Sequence, residues 1–203
     1  INAVRLINVN YNNNAYRISD ETLHFNGKST LISLQNGGGK SVLVQMLTAP
    51  FVHPKYRNTK DRLFESYFTT NKPSFILVEW ALDQGAGYVL TGLMVRKSQD
   101  MEEDRKENLD IIGIVSEYQS PCIQDIHHLP VVEKGKKEMI LKNFNSCRQL
   151  FETYKKDRDM KFFYYDLTNY AQSRQYFNKL MEYQINYKEW ETIIKKINLK
   201  ESG

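Results

Sequence analysis

Apolar and polar positions alternate along Val4-Arg5-Leu6-Ile7-Asn8-Val9, which predicts a first strand, and the Asn-rich stretch Asn12 to Asn14 predicts the turn that ends it. Leu23-His24-Phe25 and Ser29 to Leu34 flank Asn26-Gly27, two residues that tolerate positive φ and so predict a hairpin. Val42 to Ala49 has the pattern of a helix, stopped by Pro50. A polar, basic stretch from His53 to Arg62 then leads into Leu63-Phe64-Glu65-Ser66-Tyr67-Phe68. Phe75 to Trp80 and Tyr88 to Val95 predict two long strands joined by a turn over Asp83 to Gly87. Beyond the charged loop Ser98 to Asn108, Ile111 to Tyr118 predicts another strand. The residues between Tyr118 and Phe144 carry no periodicity that assigns an element. Helices are predicted over Phe144 to Tyr154, Tyr170 to Tyr183 and Trp190 to Ile197, with a strand at Lys161 to Tyr165. There is no internal repeat. Strands crowd the first half and helices the end, so the class is α/β or α+β.

Composition adds bounds. With 41% apolar and 26% charged residues the chain has ordinary globular usage. At 203 residues it suits one domain, able to bury roughly 70% of the surface of its unfolded form. The net charge of +4 permits contact with an acidic polymer without demanding it, because 28 basic residues are interspersed with 24 acidic ones. Cys122 and Cys147 lie in no metal-binding spacing, which points to a reducing compartment. No apolar run approaches the ~18 residues of a membrane span, and the first residues lack the apolar stretch of a signal peptide. A cytoplasmic protein with no membrane contact is the expectation.

The chemistry concentrates at Asn36-Gly37-Gly38-Gly39-Lys40-Ser41. A phosphate-binding P-loop needs a strand that ends abruptly, glycines whose N–H groups wrap the phosphates, and a helix N-terminus aimed at them. Here the strand is Thr30 to Leu34 and the helix begins at Val42, so the order is right. Asn36, Gly37, Gly38, Gly39, Lys40, Ser41 and Val42 are the expected nucleotide-binding residues. Lys40 neutralises the β- and γ-phosphates of ATP, and the Ser41 hydroxyl is a ligand of Mg²⁺. Leu34 stands where the usual pattern has its first glycine. A second Gly-Lys-Ser-Thr, Gly27 to Thr30, precedes a strand and has no helix dipole to offer, so it is excluded.

A hydrolytic site also needs an acidic residue after an apolar strand. Glu79, after Phe75 to Val78, is expected in an antiparallel sheet away from the phosphates. Asp166, after Phe162 to Tyr165, is placed to help cap a helix. In the basic stretch containing Arg57, Lys60 and Arg62, a solvated loop is the plain expectation. Arg62 is nonetheless the residue expected to bend back over the nucleotide and to act, with Lys40, as a catalytic group. His127 and His128 beside Asp125 lack a third ligand and read as surface residues.

Together these residues resemble the N-terminal head segment of SMC-like (structural maintenance of chromosomes) ATPases, nearest to the bacterial branch of Muk-type condensins and Wadjet-type plasmid-defence ATPases. The resemblance rests on Leu31 to Ser41, Lys60-Asp61-Arg62-Leu63-Phe64-Glu65-Ser66-Tyr67-Phe68, the hairpin Phe75 to Arg96, and the ending Tyr187-Lys188-Glu189-Trp190 with Ile197 to Gly203. It implies an ABC-type P-loop ATPase head whose N-terminal lobe has antiparallel hairpins and a parallel core completed by a C-terminal half. It divides the chain into a P-loop core (1–70), a β-rich lobe (73–118) and a helical approach to a coiled coil (144–203). It further implies ATP and Mg²⁺ as cofactors, with the C-terminal half of the same head, a second head in a homodimer, DNA and accessory subunits as partners. The implied location is cytoplasmic and nucleoid-associated, and the role chromosome segregation or bacterial defence. The acidic Mg²⁺ strand and the Ser-Gly-Gly signature of such heads are missing from these 203 residues, so the chain is expected to be a fragment with little ATPase activity alone. The competing expectation is a self-contained P-loop enzyme such as a kinase.

Overall fold

Alternating side chains send two apolar sets to opposite faces of one sheet, and helices cover both. In the computed structural model the described residues are 1–11, 16–25, 39–99, 107–135 and 137–201. The strands are β1 (Ala3–Tyr11), β2 (Tyr16–His24), β3 (Ser74–Ala81), β4 (Tyr88–Lys97), β5 (Leu109–Tyr118), the short β6 (Val132–Lys134) and β7 (Met139–Leu141), and β8 (Lys161–Asp166). The helices are α1 (Gly39–Thr48), α2 (Phe144–Lys156), α3 (Tyr170–Glu182) and α4 (Tyr187–Glu201). Six strands form one sheet in the order β2-β1-β3-β4-β5-β8, and β6 pairs with β7 in a separate ribbon.

Every pairing in the main sheet is antiparallel. The fold is α+β. No parallel pairing occurs among the described residues, so the expected parallel core has no counterpart there. The connections β1–β2, β3–β4 and β4–β5 are too short for the crossover that parallel neighbours require. The strand Thr30 to Leu34 and the Asn26-Gly27 hairpin lie outside the described residues. The same sheet draws on β1, β3, β4, β5 and β8, and so on residues from all three of the segments named above.

On one face Val4, Leu6, Ile76, Val78, Val89, Leu93 and Ile111 pack with α1, α3 and α4. On the other, Ile7, Phe75, Leu77, Leu90, Met94 and Ile114 pack with α2 and with Ile126, Leu129 and Val131. Double coverage explains why β3 reads as an unbroken apolar run although its sheet is antiparallel. Asn8 is left-handed (φ 56°), and across it the inward parity of β1 reverses: Leu6 and Val9 share a face. The Asn8 side-chain Nδ2 donates to Pro73 O and the Asn8 main-chain oxygen accepts from Ser74 Oγ at 2.5 Å, which holds the twist.

Of one strand, β2, the hydrophobic pattern announces only the end, Leu23-His24. β2 is an edge strand with Arg17, Ser19 and Glu21 exposed, so only part of it needs apolar residues. The β6–β7 ribbon is three residues per strand, too short for a period to appear.

Candidate functional site

Helix α1 begins at Gly39, before the expected Val42, and contains Gly39, Lys40 and Ser41 in its first turn. Val42, Leu43, Met46 and Leu47 are buried against the sheet and set the helix's orientation, while Ser41 is exposed. Because the first N–H groups of a helix have no partner within it, this end is electropositive. Asn36, Gly37 and Gly38 lie outside the described residues, as does the Lys40 side chain. Val42 is only 3% exposed, so its side chain belongs to the core and only its main chain is open to a ligand role.

Gln45 ties the basic segment to α1. Its Nε2 donates to Arg57 O at 2.8 Å and to Arg62 O at 3.2 Å, and its Oε1 accepts from the Tyr67 hydroxyl at 2.5 Å. Thr59 adds a local turn, accepting from the Arg62 amide at 3.0 Å. As a result Arg62 and Ser41 line one cavity of about 580 Å³, with Gln45, Tyr56, Ile194 and Ile197 among its walls. Burial raises the Tyr67 phenol above its ordinary range, and hydrogen bonding from Arg62 opposes that shift. The sequence pointed to Arg62 here but not to Gln45 or Tyr67. The available signal was a Gln three residues after Val42, on the same face of an otherwise apolar helix.

The run Arg57, Lys60, Arg62 is not a uniformly solvated stripe. Arg57 is 2% exposed, donates from Nε to Ala49 O at 3.0 Å and lies against the Phe64 ring. Desolvation lowers its pKa from the ordinary guanidinium range, with Glu107 and then Tyr176 opposing. Glu107 shows the converse: burial raises its pKa and Arg57 opposes. Lys60 is exposed. One basic run thus divides into a structural cation, a solvated one and a half-buried one at the cavity.

No protein-family model and no curated protein matches this chain.

Helix α4 closes the far wall. His53 Nδ1 lies 2.6 Å from Glu191 Oε1, which also accepts from the His53 amide at 3.1 Å. Trp190 packs on Phe51 and Trp80, with ring centroids at 5.3 and 6.0 Å. A neighbouring hollow shares Tyr56, Asp61 and Asn198 with the cavity and is rimmed by Lys55, Lys60 and Lys195. The wall beside Ser41 therefore continues into a basic surface.

The remaining candidates stay apart from this cavity. Glu79 lies in β3, 4% exposed, and accepts from Tyr118 OH at 2.5 Å and Asn2 Nδ2 at 2.7 Å. Burial, and next the bond to Glu79, push the Tyr118 phenol far above its ordinary range. Asp166 accepts from the Thr168 amide and hydroxyl, while Asn169 is the residue that caps α3. Asp125 has a fully buried side chain and accepts from the amides of Cys122, His127 and His128, from Ser120 Oγ and from His128 Nδ1. His127 and His128 are exposed, with rings 78° apart. Among the described residues no three His, Cys, Asp or Glu side chains gather to hold a metal, and no helix is long and apolar enough to cross a membrane. Both cysteines are free thiols.

Proposed function

We propose that this chain is the N-terminal ATP-binding half of an SMC-like head, in which ATP draws two heads together and hydrolysis parts them to act on DNA. The observation that carries the reading is the Gly39-Lys40-Ser41 opening of α1, with Asn36-Gly37-Gly38 directly before it in sequence. A helix that starts on Gly-Lys-Ser offers unpaired N–H groups, a lysine cation and a hydroxyl to one bound anion, which is the chemistry a triphosphate needs. The shared cavity of Ser41 and Arg62 supports a second cationic contact to that phosphate group.

In this reading Lys40 offsets charge on the β- and γ-phosphates, Arg62 stabilises charge at the γ end, and the exposed Ser41 hydroxyl fits a single metal ligand. Mg²⁺ supplies Lewis-acid neutralisation of the phosphate oxygens when bound. Asp61 lines the same cavity, but no three acidic, His or Cys side chains gather there among the described residues, so nucleotide, water and the C-terminal half of the head would supply most of the other ligands. That half, a second head, duplex DNA and accessory subunits are the proposed partners. A cytoplasmic, nucleoid-associated role in chromosome segregation or bacterial defence follows.

Calorimetric titration of Mg-ATP into the wild type and Lys40→Ala tests the site. Loss of one charge-assisted contact of about 1.5–3 kcal/mol is a weakening of roughly tenfold or more. Equal binding by both proteins would overturn the P-loop assignment. ATP turnover should be negligible for the chain alone, rise on adding the C-terminal half, and rise again with duplex DNA. Robust turnover by the chain alone, abolished in Lys40→Ala, would favour a self-contained enzyme such as a kinase.

A further inference from the structure

Strand β8 ends the sheet, paired with β5 on one side and with no described strand on the other. The Leu167 amide donates to Ile111 O at 2.9 Å, so the odd-numbered residues of this strand turn their backbone groups toward β5. Phe162, Tyr164 and Asp166 therefore turn theirs outward. Asp166 is occupied locally: its amide donates to Gln172 Oε1 at 2.9 Å and its carbonyl accepts from the Asn169 amide at 3.1 Å. The outward groups of Phe162 and Tyr164 have no backbone partner among the described residues.

Two helices make that edge a slot. Phe151 of α2 packs on Phe162 on one face, and Tyr176 of α3 meets Tyr165 on the other. A hollow of about 430 Å³ runs along the edge, walled by Arg148 and Lys155 from α2 and by Gln172 and Gln175 from α3, with Tyr164 at its floor. Arg148 and Lys155 are exposed, and neither pairs with a carboxylate among the described residues. The nearby acid, Glu152, is engaged by the Tyr164 hydroxyl and by Lys156. The opposite edge is built differently: β2 carries Arg17, Asp20 and Glu21, charges of the kind that discourage strand addition. In β8 the charges stand only at the ends, Lys161 and Asp166, and the four residues between them, Phe162-Phe163-Tyr164-Tyr165, have high β-propensity.

We propose that the β8 edge takes up an extended, acidic segment of a partner polypeptide as a seventh strand, bonded to the Phe162 and Tyr164 backbone and with its carboxylates on Arg148 and Lys155. Main-chain pairing supplies affinity in such strand addition, and flanking side chains supply selectivity. Charge complementarity selects the occupant: Arg148 and Lys155, neither in an ion pair among the described residues, line the slot, Lys155 over the Tyr164 ring, and the Glu152 carboxylate near them is already engaged. The role is independent of nucleotide binding, because the slot lies on β8 between α2 and α3 and the P-loop helix does not line it.

Random twelve-residue peptides displayed on phage and selected on the whole chain test this. The selected peptides should be rich in Asp and Glu at alternate positions, and the Tyr164 amide should shift in the nuclear magnetic resonance spectrum when a selected peptide is added. Arg148→Glu with Lys155→Glu, at exposed positions that leave the core intact, should weaken binding about tenfold or more. Tyr164→Pro removes the outward N–H without touching a bond to β5 and should abolish it. Peptides with no acidic excess, or binding indifferent to the charge-reversed pair, would overturn the proposal. So would concentration-dependent self-association through this edge, or an oligonucleotide that needs Arg148 and Lys155 yet binds Tyr164→Pro normally.

Discussion

The Tyr67 hydroxyl donates to the side-chain carbonyl of Gln45 at 2.5 Å, while the same amide's nitrogen holds the main-chain oxygens of Arg57 and Arg62. One buried side chain therefore reads three points of the segment that follows α1. Its fixed geometry is what keeps Arg62 at the cavity that Ser41 opens onto. A guanidinium on a loop anchored only at its ends would lose much of its time, and hence its electrostatic effect, to other conformations.

Gln45→Leu preserves volume and removes all three bonds, taking from the buried Arg57 carbonyl its side-chain donor and leaving the Arg62 carbonyl and the Tyr67 phenol with only Thr59 and Arg62 as partners. Stability should fall by about 2–4 kcal/mol, as expected when buried polar groups lose their partners. Urea denaturation measures it. A change below about 0.5 kcal/mol would show that water replaces Gln45 at no cost.

Arg57 and Lys60 are three residues apart in one basic run and should respond oppositely to truncation. Arg57→Ala empties a buried site and releases Ala49 O, at a cost of about 2–4 kcal/mol. Lys60→Ala removes an exposed charge and should remain within about 0.5 kcal/mol of the wild type. Parallel thermal melts of the two variants distinguish a structural cation from a solvated one.

Gly113 is required by its neighbour. A Cβ there would meet the Tyr176 ring at 2.7–3.0 Å, and that ring is fully buried with its hydroxyl donating to Pro50 O at 2.8 Å. The ring cannot retreat without losing its bond, so Gly113→Ala should cost about 1–3 kcal/mol by overpacking. Chemical denaturation of the variant is the check, and a neutral result would mean that α3 shifts freely over β5.

Asp125 gives the fold an acid-sensitive point. Burial alone would raise its pKa, but the donors around it outweigh that effect: the Cys122 amide first, then His128 and Ser120. Its folded pKa thus lies below the unfolded value, so the stability it contributes is complete above about pH 4 and lost as pH falls through the depressed value. Asp125→Asn substitutes an N–H₂ for one acceptor and should flatten the acid limb of a melting-temperature profile taken from pH 2 to 6. An unaltered profile would place the acid-sensitive group elsewhere.

Much of the fold is legible in the sequence. The strands at Phe75, Tyr88, Ile111 and Lys161 and the helices from Phe144 and Tyr170 appear within a few residues of their predicted limits, because the strands are largely apolar runs bounded by polar turns and each helix buries one face whose period survives in the sequence. β2 is legible only at its end, Leu23-His24: its edge position leaves Arg17, Ser19 and Glu21 free to be polar. The β6–β7 ribbon and the loop around Asp125, whose order comes from single polar contacts, are not legible. At the candidate site, the triple glycine with Lys40 and Ser41 and the choice of Arg62 come from sequence. Gln45 and Tyr67 do not, since a buried polar residue looks like any other until its partners are known.

Local pattern determined most of the strands and helices and that a helix opens near Gly39-Lys40-Ser41, because those properties depend on neighbours within a few positions. Only the tertiary structure decided that the described sheet is antiparallel throughout and covered on both faces, that Arg57 is buried while Lys60 is not, and that β8 ends the sheet between two helices. The reason is range. Strand order, burial of a cation and the exposure of an edge are set by contacts between residues tens of positions apart, such as Gln45 with Tyr67 and Arg5 with Ile126, and no periodicity in the chain encodes them.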